Sequence, residues 1–252
     1  MIERKRPSPL TQLLDLILIQ LSNYRWSWRR MVITGMVAPV ISLLALGLFA
    51  READPAALTY VLTGSVVLSL MFENMGKVSG NFAFMKAMGT LEYFATLPVQ
   101  RYMVVLATLI AFFLMSLPAT LVTILAGRFL LGITLSPHPL VMVVVLMTAV
   151  PLAALGALIG SAARTPEDAG STITLLIFLL TGLGPVVIPP NRLPALMVQI
   201  GRLSPATYAA SALRQTLIGP VTGQLAWDLL FLSLLTLLLG WATSRKMTWR
   251  SA

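Results

Sequence analysis

Hydrophobic residues fall into six long runs along this chain of 252 residues. A helix needs about 20 mostly apolar residues to cross the core of a bilayer. The runs predict membrane-spanning helices near residues 31–50, 58–75, 102–127, 139–163, 170–189 and 224–244. No segment between them reaches the roughly 50 residues of a soluble domain. The pattern therefore predicts an all-α, polytopic membrane protein with six transmembrane helices, in which residues 1–252 form a single domain.

A shorter apolar stripe precedes the first run. Five of its residues recur at helical spacing, namely Leu10, Leu13, Leu14, Ile17 and Leu21. Residues 10–24 are therefore predicted to form a helix that lies in the cytoplasmic membrane interface, in contact with lipids, rather than crossing the bilayer.

Charged residues make up only 11% of the chain, against about 25% in an average soluble protein. Most of the 18 Lys and Arg residues fall on one side if the N-terminus is cytoplasmic, as the positive-inside rule requires. Both termini are therefore predicted to be cytoplasmic. The net charge of +9 reflects this bias, and we expect no nucleic-acid partner because no soluble fold offers a basic face.

The predicted spans contain almost no charge, since Glu73, Arg128 and Asp228 all fall near predicted ends. Charges inside a membrane usually mark ion paths or proton relays, so the sequence disfavours a proton- or sodium-driven transporter. The chain also lacks the Gly-x-x-x-x-Gly-Lys-Ser/Thr phosphate loop. Any ATP that drives transport must therefore be hydrolysed by a partner.

The sequence contains no recognisable catalytic motif. His-Glu-x-x-His and Gly-x-Ser-x-Gly motifs are missing, and the adjacent Glu167 and Asp168 would lie on different faces of a helix. Thr165 and Pro166 instead predict the N-cap and the first turn of the fifth helix. With no cysteine and one histidine, a metal site is not expected. The chain is predicted to be neither an enzyme nor a cofactor-binding protein.

The segment at residues 76–98 is longer than a hairpin between two spans requires. Its apolar positions recur at helical spacing, at Phe84, Met88, Leu91 and Ala95. Polar residues occupy the other positions, and Pro98 would end the helix. The segment is therefore predicted to be an amphipathic helix on the cytoplasmic side. Either it simply lies in the interface, or its polar face contacts a partner.

Residues 190–220 predict a second short unit. Ser204 as N-cap and Pro205 in the first turn begin a helix of about four turns. Arg202 and Arg214 would each cost about 2.5–3.5 kcal/mol at mid-bilayer. We therefore expect a helix-break-helix unit that enters the membrane from outside without crossing it.

Two motifs carry a resemblance to a known family. Gly89-Thr90-Leu91-Glu92, followed by Thr96-Leu97-Pro98-Val99-Gln100-Arg101, resembles the cytoplasmic coupling segment of ABC-2 type transporter permeases, the membrane subunits of bacterial ABC exporters. The family pattern is Gly-Thr-Leu-Glu, a few apolar residues, then Thr-Pro-Val-Ser-Arg. Here Leu97 separates Thr96 from Pro98, and Gln100 stands in place of the usual serine.

The second motif, Leu203-Ser204-Pro205-Ala206-Thr207-Tyr208 with Arg214 further on, is similar to the family's Leu-Asn-Pro-x-Thr-Tyr and its following Arg. Ser204 replaces the common asparagine, which is a mild change because both residues cap helices. The two motifs occur in the family's order, and the similarity spans the whole chain.

The resemblance implies a half-transporter in a bacterial inner membrane. It would pair with a second permease subunit, as a homodimer or heterodimer, and with a separate ABC ATPase that uses ATP and Mg. The residues that would couple to that ATPase are Gly89, Thr90, Leu91, Glu92, Pro98 and Arg101. The residues of an outer gate would be Pro205, Tyr208 and Arg214. The exported substrate would be a hydrophobic or amphipathic drug or lipid, or a glycan.

Gly156 and Gly160 form a small-xxx-small motif, which lets helices approach closely, and we expect them to serve helix packing within the chain. An alternative function remains, a membrane scaffold or enzyme subunit that transports nothing. A stable complex with a phosphate-loop ATPase would distinguish the two.

Overall fold

The computed structural model describes residues 8–53, 55–96 and 100–246, and throughout these residues the regular structure is helical. Side chains are described except at residues 49–53, 55, 95, 101 and 244–246. The α-helices are α1 (Pro9–Asn23), α2 (Trp28–Ala53), α3 (Pro55–Leu70), α4 (Lys77–Ala87), α5 (Thr90–Thr96), α6 (Arg101–Leu131), α7 (Val141–Ala162), α8 (Pro166–Gly182), α9 (Ala195–Gly201), α10 (Pro205–Leu217) and α11 (Gln224–Lys246).

Five helices in the described part of the chain are long and apolar enough to cross a membrane. They cover Trp28–Leu48, Ala56–Ala87, Tyr102–Leu131, Val141–Ala162 and Gln224–Thr243. The predicted all-α membrane class is therefore confirmed. The predicted fifth span corresponds to α8, which has 17 residues and is about 25 Å long. This is slightly short of a bilayer core of about 30 Å.

The long helices run back and forth between two ends of one bundle. One end, which we name the Gly89 end, carries the α1–α2 turn, the α4–α5 turn and the short link between α7 and α8. The other, the Arg214 end, carries residues 132–140 and the segment from Leu183 to Gly223 with α9 and α10. The backbone of residues 136 and 138 is hydrogen-bonded to that of residues 216 and 217 there.

The helix of the second span does not stop near residue 75. A π-helix, Met71–Gly76, joins α3 to α4, so the chain stays helical from Pro55 to Ala87. Val78 and Phe82 in α4 are fully buried, and α4 packs against α7 and α8. The helix continues because these apolar side chains bury one of its faces in the bundle. The prediction of one amphipathic helix at residues 76–98 is wrong, because α4 ends at Ala87 and α5 begins at Thr90. Only α5 is a helix separate from the second span.

The N-terminal helix predicted at residues 10–24 is observed as α1. It packs against α6 through a buried row at four-residue spacing, Gln12, Leu16 and Gln20. The Gln20 amide donates to the Thr108 hydroxyl at 3.0 Å, which satisfies a polar group inside the contact. Leu10 is 68% exposed, so part of the predicted apolar stripe faces away from the bundle.

The predicted helix-break-helix unit is present as α9 and α10. Ser204 precedes α10 and Pro205 begins it, as predicted. The predicted capping bond is wrong, however, because the Ser204 side chain makes no bond to its own helix. Its hydroxyl donates instead to the Leu180 carbonyl oxygen at 3.0 Å. This bond attaches the start of α10 to α8, a use that local sequence cannot reveal.

Candidate functional site

A left-handed turn at Gly89 separates α4 from α5. Gly89 has a φ of +69°, a conformation that costs other residues about 1–2 kcal/mol. A Cβ added there would meet no atom within 4 Å. The backbone conformation, rather than crowding, therefore requires glycine at this position, and the turn sets the direction in which α5 leaves α4.

One face of α5 is anchored in the bundle. Leu91 and Phe94 are buried in a hydrophobic cluster with Leu16 of α1, Phe82 of α4 and Met103 of α6. The cluster also contains residues of α1, α4 and α6, so this face of the short helix is buried in the bundle.

The other face of α5 is exposed at the Gly89 end. Glu92 lies there in the first turn of the helix, beside Tyr93, which is 62% exposed. Met88, just before the turn, is 66% exposed. An exposed aromatic, a methionine and a carboxylate on a firmly anchored helix are a suitable contact surface for another protein.

The structure gathers four of the six predicted coupling residues. Gly89, Thr90, Leu91 and Glu92 are consecutive through the turn and into α5, although only Glu92 among them is exposed. Pro98 lies outside the described residues. Arg101 begins α6, and its side chain is not among those described.

Lys86 links the α5 turn to the end of α7. Its ammonium donates to the carbonyl oxygens of Ala163 at 2.9 Å and Ser161 at 3.1 Å. A cation at the carboxyl end of a helix satisfies free carbonyls and favours the helix dipole. Lys86 thus joins the end of α4 to the end of α7. Just beyond this point the predicted N-cap of α8 is confirmed: the Thr165 hydroxyl accepts from the Asp168 amide at 3.1 Å.

A buried ion pair lies inside the second span. Glu73 is 1% exposed, and the Lys77 ammonium donates to its Oε2 at 2.6 Å and to the Met31 carbonyl oxygen at 2.9 Å. The prediction that Glu73 lies near a span end is wrong, because the helix continues to Ala87. The four-residue spacing of opposite charges was an available signal for this pair.

Small residues let neighbouring helices approach the second span closely. The carboxylate of Glu73 occupies the space where Gly35 of α2 would otherwise carry a Cβ. On the α7 side, a Cβ on Gly156 would overlap the backbone of Met75, and one on Gly160 that of Ser79. The predicted packing glycines therefore face the π-helix and α4 of the same chain.

A second cluster of polar side chains lies at the Arg214 end. The Arg214 guanidinium is 3.5 Å from the centre of the Tyr60 ring, a cation–π contact. It also donates to the Thr63 hydroxyl at 3.3 Å. Burial lowers the pKa of Arg214, and the nearby charge of Asp228 opposes that shift. The cluster thus joins α10 to α3.

Asp228 closes this cluster from α11. It is fully buried, and its two oxygens accept from Gln215 at 3.1 Å and Gln224 at 3.0 Å. Tyr208 stacks on Phe231 with ring centres 3.9 Å apart. Through these contacts α10 is also held against α11.

Tyr208 and Arg214, two of the three predicted gate residues, line a cavity of about 440 Å³ at this end. The third, Pro205, is buried at the start of α10. Tyr60 and Asp228 also line the cavity, and sequence reasoning missed both. A lone acid at the start of an apolar helix was a signal for Asp228, whereas nothing in its local sequence marks Tyr60.

Comparison with known proteins agrees with this architecture. No curated protein matches the chain. The sequence model of one family, described as ABC-2 type transporter, matches residues 11–218, which cover most of the chain and include both motifs. The bundle of long apolar helices fits a membrane component of a transporter. The chain therefore belongs to the ABC-2 type transporter family and is a multi-pass membrane protein.

Proposed function

We propose that this chain is the permease subunit of an ATP-driven exporter in a bacterial inner membrane. It pairs with a second permease subunit and with a separate ABC ATPase subunit, which binds the ATP and Mg. The observation that carries the proposal is α5, a short helix with one face buried in a cluster shared with α1, α4 and α6 and one face exposed, set off by the left-handed turn at Gly89. The buried Glu73–Lys77 pair weakens the argument that the spans carry too little charge for an ion-driven transporter. The support for ATP as the energy source is therefore family membership.

The proposed docking surface consists of Met88, Glu92 and Tyr93. Glu92 would pair with an Arg or Lys of the ATPase through a charge-assisted hydrogen bond. Tyr93 and Met88 supply apolar area of the kind that protein interfaces favour. We assign Pro98 and Arg101 to the same coupling segment by family resemblance.

Movement of the ATPase would reach the spans by two routes. Leu91 and Phe94 transmit displacement of α5 to α1, α4 and α6 through their shared cluster. Lys86 transmits it to the end of α7 through its two bonds to backbone carbonyls. Because α4 continues into α3 without a break, a tilt of α4 reaches the Arg214 end.

We place the Gly89 end in the cytoplasm. Arg25, Arg29, Arg30 and Lys86 lie toward this end, and such an excess of positive charge supports the cytoplasmic side. In this orientation the Arg214 end faces outward, and α1 lies in the cytoplasmic interface. We count α8 as the sixth span, because a helix slightly shorter than the bilayer core is accommodated by local thinning.

Tyr208 and Arg214, with Pro205 at the start of their helix, form the proposed outer gate. The contacts of Arg214 with α3 and of Tyr208 with α11 support a closed arrangement at this end. Opening would separate α10 from these two helices. The exported substrate would be hydrophobic or amphipathic, such as a drug or lipid, or a glycan.

The docking proposal is tested with Glu92→Ala in the complex of this chain and its ATPase, reconstituted in liposomes. We expect loss of a charged hydrogen bond, about 1.5–3 kcal/mol, to reduce co-purification of the ATPase and transport about tenfold or more. Glu167→Ala is the matched control, because Glu167 is also an exposed acid in a first helical turn at the Gly89 end.

Equal ATPase binding, ATP turnover and transport in both variants would remove the basis for α5 as the docking helix. Failure of the wild-type chain to bind any phosphate-loop ATPase would favour a non-transporting scaffold or enzyme subunit.

A further inference from the structure

The cavity at the Arg214 end lies between the beginning of α3, α10 and the beginning of α11, with a volume of about 440 Å³. We propose that it binds a phosphate-class oxyanion carried by the headgroup of an amphiphilic molecule. The inference rests on the proposed export function, because it assigns a substrate class to the proposed outer gate. Small-molecule sites usually measure about 300–1,000 Å³, so the cavity accommodates a polar headgroup.

Two lining residues have polar atoms that lack hydrogen-bond partners. Arg214 Nε and Thr207 Oγ1 are buried, and neither has a partner among the described residues. Both residues line the cavity. Both atoms are closed off from solvent in this arrangement, so a ligand reaches them only after the surrounding side chains move. Leaving buried polar groups unpaired is unfavourable, so a ligand that then offers acceptor oxygens to both would be stabilised.

The charge balance of the lining favours an anion. Arg202 and Arg214 contribute two positive charges, and Asp228 is the only acid among the lining residues described. Both oxygens of Asp228 already accept hydrogen bonds, from Gln215 and Gln224. Hydrogen bonds from neutral amides leave the charge of the carboxylate in place, so Asp228 offsets one of the two guanidinium charges. The lining keeps a net positive charge, which attracts an incoming oxyanion.

Arg214 is held in position before any ligand arrives. Its guanidinium stacks on Tyr60 and donates to Thr63, which restricts the rotation of a long side chain. Such preorganisation lowers the entropic cost of binding. The planar guanidinium matches phosphate oxygens better than an ammonium does, so arginine and lysine are expected to differ at this position.

The position of the cavity indicates that its ligand reaches it from a membrane surface. Trp227, adjacent to Asp228 in the first turn of α11, is 67% exposed. Tryptophan at the end of a span typically marks the depth of lipid headgroups. A headgroup at this depth could enter the cavity while its hydrocarbon chains remain in the bilayer.

The test uses the full-length chain in maltoside micelles and needs no ATPase. Binding of fluorescent phosphatidic acid is compared with that of diacylglycerol carrying the same chains and label, with inorganic phosphate as a competitor. We expect at least tenfold tighter binding of phosphatidic acid, displacement by inorganic phosphate, and about tenfold or greater loss of affinity in Arg214→Gln. Arg192→Gln, which changes an exposed arginine at the same end outside the cavity lining, should bind normally.

Two further variants separate binding from folding. Thr207→Val keeps the side-chain shape and should weaken binding several-fold, and Arg214→Lys should fall between wild type and Arg214→Gln. Equal affinity for the two lipids, or unchanged affinity in Thr207→Val and Arg214→Gln, would overturn the proposal. Binding of inorganic phosphate without a preference for phosphatidic acid would overturn the amphiphile assignment. A negative result here leaves the coupling test at Glu92 unaffected.

Discussion

Lys77 and Glu73 form an ion pair in the interior of a membrane-spanning helix, with the ammonium 2.6 Å from Oε2 of the carboxylate. The same ammonium reaches the Met31 carbonyl oxygen of α2 at 2.9 Å. The pair therefore ties the second span to the first. The Glu73 carboxylate is buried at a desolvation cost, while the Lys77 side chain keeps 20% exposure. Their attraction and the extra hydrogen bond offset that cost only while the pair is intact.

Replacing Lys77 with Met should destabilise the protein by about 3–5 kcal/mol, because it leaves Glu73 buried without its counter-charge. Combining Glu73→Gln with Lys77→Met should recover most of that loss, since no buried charge then remains unpaired. Denaturant unfolding in micelles measures the free energy of unfolding of the single and the double variant. Equal destabilisation of the single and double variants would contradict the coupling of these two residues.

Adding a methyl group at Gly156 should destabilise α7 packing by about 1–3 kcal/mol, because the new Cβ would overlap the Met75 backbone. Gly80→Ala is the control. Gly80 lies in α4, and a Cβ there meets no atom within 4 Å, so this change should be neutral or stabilise by up to about 1 kcal/mol. Thermal unfolding compares the two. A loss of stability in Gly80→Ala as large as that in Gly156→Ala would refute the close approach.

Gly89→Val should reduce transport more than it reduces stability, since a β-branched residue resists the φ of +69° and would turn α5 out of its direction. Gly89→Asn should retain most of the transport, because asparagine tolerates the left-handed conformation. Transport and ATP turnover are measured in liposomes that contain the ATPase. Identical activity of the Val and Asn variants would show that the turn geometry is not what matters.

The crossing of α8 can be tested by labelling, since the chain has no cysteine of its own. Glu167→Cys and Asn191→Cys introduce single thiols at exposed positions before and after α8. If α8 crosses the membrane with the Gly89 end inside, an impermeant maleimide added to intact cells should label residue 191 and not residue 167. Labelling of both positions or of neither would rule out the crossing.

The bounds of the membrane helices differ in how well the sequence predicts them. The predicted spans near 31–50, 102–127, 139–163 and 224–244 match observed helices within a few residues, because apolar length is a local property that a bilayer reads directly. The second span does not, because the polar positions after residue 75 predict an interfacial helix, whereas the membrane helix continues to Ala87. In the structure Lys77 donates to a carbonyl oxygen of α2, Asn81 accepts from Tyr24 in the α1–α2 turn, and Lys86 donates to a carbonyl oxygen at the end of α7. The helix therefore continues.

The features of the candidate sites also divide into those that the local sequence predicts and those that depend on contacts between distant residues. The sequence predicted the membrane class and the helix-break-helix at the Arg214 end and contains the family motifs, because each depends on neighbours in the chain. Three contacts are visible only once the helices are packed: Tyr60 and Asp228 meet Arg214, Lys77 bridges two spans, and Ser204 bonds to α8 instead of capping α10. These contacts join residues far apart in sequence, and their energies depend on burial and distance, which exist only once the helices have packed.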